Sequence, residues 1–139
     1  MTDPKSTDAR LTDPTSQAAG FDRMRQARQT EIAEDYVELI ADLIAEEGEA
    51  RAVDLAARFG VSHATVNKTL ARLQREDLVQ TRPYRSIFLT EAGAAMAEGA
   101  RRRHQIVLEF LTVIGVPAET AAIDAEGIEH HVSEETLAV

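Results

Sequence analysis

Residues 62–76 read SHATVNKTLARLQRE. Val66, Leu70 and Leu73 recur there at helical spacing and form one inward face, and Ser62 is placed to cap the first turn. The opposite face presents Ala64, Lys68, Ala71 and Arg75, with Asn67 and Arg72 at its sides. Small residues let a helix sink into a major groove, while Asn and basic side chains reach base edges and phosphates. Just upstream, Val53–Phe59 reads as a short helix stopped by Gly60. Just downstream, Leu78–Thr81 and Ile87–Thr90 are β-prone runs around the loop Arg82-Pro-Tyr-Arg-Ser86. Helix, tight turn, helix and hairpin in that order make a winged helix-turn-helix. On a duplex, Ser62, His63, Ala64, Thr65, Asn67, Lys68 and Arg72 would meet bases or phosphates, and Arg82 and Arg85 at the hairpin tip would touch the backbone or minor groove. A solvated charged helix beside a small hairpin gives the same local pattern, so the stretch alone leaves both readings open.

Charge separates this centre from its surroundings. The 139 residues carry a net charge of −9, too acidic for a protein that merely coats nucleic acid. Residues 51–85, however, hold seven bases and three acids. Residues 31–50 hold eight acids and no Lys or Arg, and residues 119–135 hold six acids and no base. A basic middle between acidic flanks implies one surface for an anion and another for cations.

The first acidic flank lies on a helix expected to begin near Asp22 or Thr30 and to run to Glu47, with Tyr36, Leu39, Ile40, Leu43 and Ile44 as its apolar stripe. Asp35 and Glu38 share a sector at the edge of that stripe. The second flank contains Glu126-Gly-Ile-Glu129-His130-His131. On an α-helix Glu126, Glu129 and His130 fall in one narrow sector, with His131 pointing well away. Two carboxylates and an imidazole converging on one side suit a divalent cation of hard or borderline character. Between the flanks, a helix capped by Thr90 is expected over Glu91–Gly115, with a kink near Gly99; it carries His104 beside the apolar run Ile106–Leu111. Pro117 opens a last helical stretch, interrupted at Gly127. Read one by one, His104 is equally a structural histidine, and Asp35 with Glu38 equally a solvated edge.

Composition narrows the function classes. With no cysteine there is no disulfide framework, thiolate zinc site, iron–sulfur cluster or cysteine nucleophile. No apolar run approaches the roughly 20 residues of a bilayer span, and Met1-Thr-Asp-Pro-Lys-Ser6 is no secretory signal. These features predict a cytoplasmic protein. Residues 1–21 are poor in large apolar side chains and are expected to form a disordered tail. Residues 22–92 are expected to form the winged helix-turn-helix part, and 93–139 a small, mostly α-helical second part.

From Glu34 to Thr136 the sequence resembles the diphtheria-toxin-repressor (DtxR) family, specifically its manganese-responsive MntR branch. The resemblance rests on Asp35-Tyr-Val-Glu38, the helix-turn-helix Val53–Glu76, Phe88-Leu-Thr, Arg103-His-Gln, Phe110-Leu, Ile114-Gly-Val and, above all, Asp124-Ala-Glu-Gly-Ile-Glu-His-His-Val-Ser133. It implies a winged DNA-binding part and a helical metal-binding and dimerisation part. Carried over by position, the family's metal ligands fall on Asp35, Glu38, His104, Glu126, Glu129 and His130, forming a pair of neighbouring Mn²⁺ sites per subunit. Iron-responsive relatives place a sulfur-bearing residue where this chain has Glu129, which turns the expectation toward manganese and leaves an iron-responsive repressor as the alternative.

The resemblance further implies a homodimer that binds operator DNA when Mn²⁺ is bound and represses manganese uptake genes, without a small-molecule substrate or a membrane. The chain departs from the family in a longer start before residue 30 and in the expected lack of an SH3-like third domain after the metal motif, so the dimer contact is expected at Ile106–Val113 and around Ile128. A winged-helix regulator of an organic ligand and a dinuclear metallohydrolase are the rival classes. The second lacks an evident general base or substrate loop, so no enzyme is expected.

Overall fold

A computed structural model describes residues 11–82 and 86–139. Helix α1 spans Pro14–Glu47. Pro at its first position needs no amide partner, and the Asp13 carboxylate accepts the Ser16 amide at 3.1 Å, so the helix starts well before Asp22. The expected tail of residues 1–21 is therefore corrected over residues 14–21, which are helical though largely exposed; residues 1–10 lie outside the described residues. Capping settles the local structure there, and burial does not.

A two-residue strand β1 (Ala50–Arg51) leads into α2 (Ala52–Phe59) and α3 (His63–Arg75). Gly60 joins the two helices in the left-handed region at φ 68°, where a side chain would be strained. The Ser62 hydroxyl caps α3 by accepting the Thr65 amide at 3.1 Å. Strands β2 (Val79–Thr81) and β3 (Ser86–Leu89) form the wing. The sheet has three antiparallel strands rather than a bare hairpin, in the order β1-β3-β2, with Ala50 opposite Ile87 and Val79 opposite Leu89. Two residues are too short a run for period-two alternation to reveal, which hid β1 in the sequence.

Helix α4 (Glu91–Val113) begins at the Thr90 cap, whose hydroxyl accepts the Gly93 amide at 3.0 Å and donates to the Asp77 carbonyl at 2.6 Å. This first turn is pressed against the wing: a Cβ on Gly93 would collide with the Leu78 carbonyl oxygen. Gly93→Ala should therefore destabilise the protein by about 1–3 kcal/mol, the usual cost of overpacking. Urea unfolding is the check, and an unchanged midpoint would contradict the close approach.

Helix α5 (Ala118–Ile128) passes into a single 3-10 turn, Glu129–His131, and α6 (Glu134–Leu137) follows. The break thus falls after Ile128 and not at Gly127. The main core joins α1 to the winged part through Val37, Ile40, Leu55, Val66, Leu73, Val79 and Ile87, with Tyr36 stacked on Phe59 at 4.5 Å. A second core is far smaller, built on Val107, Leu111, Ala121 and Ala125. Around it Phe110, Val113, Ile114 and Ile123 remain exposed. Among the described residues no helix is long and apolar enough to cross a membrane.

Candidate metal centre and nucleic-acid face

Four elements converge on one acidic cluster. Helix α1 supplies Glu31, Glu34, Asp35 and Glu38; α4 supplies Arg103 and His104; α5 and the 3-10 turn supply Glu126, Glu129, His130 and His131. The tighter turn after Ile128 changes the geometry that an unbroken α-helix would impose. Glu129 and His130 consequently point to different partners, Glu129 toward α4 and His130 toward α1.

Glu129 is the hub. Its side chain is fully buried, with Oε2 2.7 Å from His104 Nδ1 and Oε1 3.3 Å from His130 Nε2. Glu126 Oε1 lies 3.6 Å from the same His104 nitrogen but is largely exposed, so this side of the cluster opens to solvent. His130 is equally enclosed: its Nδ1 is 2.6 Å from Glu34 Oε2 and its Nε2 3.1 Å from Asp35 Oδ1. Glu34 also meets Arg103 Nη2 at 2.7 Å, and Arg103 Nε donates to the Glu129 carbonyl at 3.2 Å.

The electrostatics match this crowding. Burial first, and the charge of Glu126 second, push the Glu129 carboxyl up to about 7. The same two causes raise Glu38, which places its carboxyl in the field of Glu126 and His104. Burial alone would lower His130, but the Asp35 and Glu34 carboxylates against its ring and the charge of Glu129 hold it up to about 10. At neutral pH His130 is therefore an imidazolium, and any cation that takes its nitrogen must displace that proton.

Potential donors fall into two neighbouring groups, each with ligand atoms within 4.8 Å of one another: Glu31, Asp35 and His130 in one, His104, Glu126 and Glu129 in the other. Of the six expected ligands, five thus stand in these groups, and Glu38 borders the second electrostatically. Glu129 Oε1 and His130 Nε2 are buried yet have no aligned hydrogen-bond partner. The two lie 3.3 Å from each other, their residues belonging one to each group. The residues fit a divalent cation.

Sequence reasoning missed Glu31, Glu34 and His131. A signal was present: residues 31, 34, 35 and 38 follow the i, i+3, i+4, i+7 spacing of a single helix face. His131 does point away from the Glu126–Glu129 sector, as expected, but it lands on α1, with Nε2 3.0 Å from Glu31 Oε2.

In the winged part, His63, Ala64, Thr65, Asn67 and Lys68 are exposed along α3, and Ser62 at its cap is exposed too. His63 and Asn67 line a concavity with Arg51, Thr81 and Arg82, between α3 and the wing. Arg82, which follows β2 at the loop end of the hairpin, lies over the Phe88 ring at 4.9 Å, which braces it there. Arg85 lies outside the described residues. Arg72 requires a correction: it is turned toward α1, where its Nη2 donates to the Gln29 carbonyl at 3.1 Å, with Glu76 beside it. Its place next to Leu73, on the flank of the inward face, explains why it joins helices instead of facing a groove.

Comparison with known proteins agrees with this division. Residues 29–87 match the family model described as iron dependent repressor, N-terminal DNA binding domain. Residues 90–138 match iron dependent repressor, metal binding and dimerisation domain. The transcriptional regulator MntR of Escherichia coli is 57% identical over 118 residues, covering 85% of this chain and 76% of that protein. The HTH-type transcriptional regulator MntR of Bacillus subtilis is 38% identical over 100 residues, 72% of this chain and 70% of its own length. Among solved structures, a manganese-dependent transcriptional repressor in complex with manganese superposes with TM-score 0.66 at 30% identity, covering 76% of this chain and 49% of that one. The manganese regulator SloR gives TM-score 0.67 at 27% identity, covering 76% and 50%. The chain therefore spans about half the length of these two solved chains. A winged helix-turn-helix, a converging acidic cluster and two family models that together match most of the sequence lead to one assignment: the chain belongs to the iron-dependent repressor (DtxR) family of transcriptional regulators, in its MntR branch.

Proposed function

We propose that this chain is a manganese-responsive DNA-binding repressor of manganese uptake genes, acting in the cytoplasm as a homodimer with two Mn²⁺ ions per subunit. The observation that carries the reading is the convergence of the buried Glu129 carboxyl and the enclosed His130 ring with Asp35, His104 and Glu126 in two neighbouring groups of potential ligand atoms. Asp35 and His130 would hold one ion; His104 and Glu126, with Glu38 alongside, would hold the other, and Glu129 stands where it can serve both. The donors are oxygen and imidazole with no sulfur, a set that suits Mn²⁺ better than softer ions. The relatives named MntR and the manganese-dependent repressor support the same choice.

A bound cation supplies positive charge where carboxylates otherwise repel one another. Without it, the Glu38 and Glu126 carboxylates repel each other between α1 and α5. Arg101 pairs with Asp42 and ties α4 to α1 beside Glu38. Arg72 bonds α3 to the α1 backbone at Gln29, two residues before Glu31. A change in how α1 meets the second part is thereby passed to the exposed α3. In a dimer that movement resets the spacing of two α3 helices on two-fold symmetric DNA. The exposed apolar residues Phe110, Val113, Ile114 and Ile123 supply the surface for the second copy. Metal and DNA must raise each other's affinity by the same factor.

Fluorescence anisotropy with DNA from a manganese-uptake promoter tests the reading at fixed salt. Chelator-stripped protein should bind at least about tenfold more weakly than Mn²⁺-loaded protein, within the usual range of coupling between sites. Equal binding by the two forms would refute it. Fe²⁺ and Zn²⁺ titrated under the same conditions rank the metals.

A further inference from the structure

The six family positions do not account for every donor that faces the cluster. Glu31 stands one helical turn before Asp35 on α1, and its carboxylate, that of Asp35 and an imidazole nitrogen of His130 lie within 4.8 Å of one another. The His130 side chain is only 1% exposed, and its Nε2 lies 3.1 Å from Asp35 without an aligned hydrogen bond. An enclosed nitrogen of this kind, set between the Asp35 and Glu129 carboxyls, marks a ligand position and distinguishes the trio from an ordinary acidic surface. His131 then fixes the third member. Its Nε2 sits 3.0 Å from Glu31 Oε2, an interaction that uses one carboxylate oxygen and holds the group at the rim of the pocket. The same 3-10 turn thus offers two consecutive imidazoles to α1, one inside the pocket and one behind its outer wall.

We propose that Glu31 is a further protein ligand of the metal centre, closing the outer side of the Asp35–His130 pocket, with His131 as its positioning residue. The assignment rests on the reading that Asp35 and His130 hold a divalent cation. An added carboxylate raises the oxygen share of that pocket, which favours a hard ion such as Mn²⁺ over Zn²⁺. Glu31 therefore acts on metal selectivity as well as affinity.

The test is Mn²⁺ binding by the full chain without DNA, read from the electron paramagnetic resonance signal of free Mn²⁺. Glu31 is partly exposed, so Glu31→Gln should fold normally, and the amide can keep its contact with His131. Glu31→Gln should weaken one component of the Mn²⁺ isotherm by about tenfold and leave the other unchanged, with a smaller loss for Zn²⁺. His131→Ala should give a partial version of the same change. A carboxylate acting only through space would be screened at 1 M salt, where the Debye length is about 3 Å, so the loss should persist there. An unchanged Glu31→Gln isotherm, or a loss that vanishes at 1 M salt, overturns the assignment while the metal centre stands. Failure of the wild-type chain to bind Mn²⁺ overturns the centre itself.

Discussion

Glu129→Gln is expected to lower Mn²⁺ affinity by more than about 100-fold and to abolish Mn²⁺-dependent DNA binding, while the protein stays folded. Changes to groups that merely support metal ligands already cost roughly 10–100-fold, and Glu129 is the buried residue next to donors of both groups. The fold should tolerate the change because burial and Glu126 hold the carboxyl up to about 7. An uncharged amide of the same size resembles the protonated form that the metal-free protein already populates. His104 and His130 keep a hydrogen-bonding neighbour, and no cavity is opened. Isothermal titration with Mn²⁺ and circular dichroism on the same sample separate the two claims. A folded variant with an unaltered Mn²⁺ isotherm would remove Glu129 from the centre.

Lys68→Glu should weaken DNA binding by about 100-fold at constant Mn²⁺ saturation, with little dependence on DNA sequence. The side chain is exposed on the outer face of α3 and does not belong to the acidic cluster. Removing a phosphate contact reduces the salt slope by about one, and placing a like charge against the backbone adds a further loss of similar size. Mn²⁺ affinity measured without DNA should not move. Anisotropy at several salt concentrations is the check, and an unaltered slope would take Lys68 off the duplex. By contrast Arg72, though equally basic, is committed to Gln29, and its loss should act through the packing of α3 on α1.

Much of this was legible in the residues. The inward Val66, Leu70 and Leu73 fix α3, and Thr90 and Ser62 mark helix starts by the chemistry of their hydroxyls. Such signals depend on local spacing, which a sequence displays directly. What escaped depends on contacts between distant segments. Strand β1 is recognisable only by its pairing with β3, and Glu34 becomes a buried partner only because Arg103 and His130, 69 and 96 residues on, come to meet it. The helical sector drawn for Glu126, Glu129 and His130 assumed one continuous α-helix. A change of winding after Ile128 aims the last two residues at different helices, and local propensity gives no notice of it. Asp13 shows the opposite error: an exposed stretch with nothing to bury is still helical because a cap and a proline start it.

The second core, four small or medium side chains beside a broad uncovered apolar margin, has a consequence for how such a regulator counts. So little buried surface leaves the C-terminal part dependent on what joins it, and under the proposed function the joining agents are a second subunit and the bound metal. By mass action, each agent's concentration then enters the population of the competent state. The set-point for manganese should accordingly shift with the regulator's own abundance in the cell: a scarce repressor needs more of the ion before it closes a promoter, and an abundant one needs less.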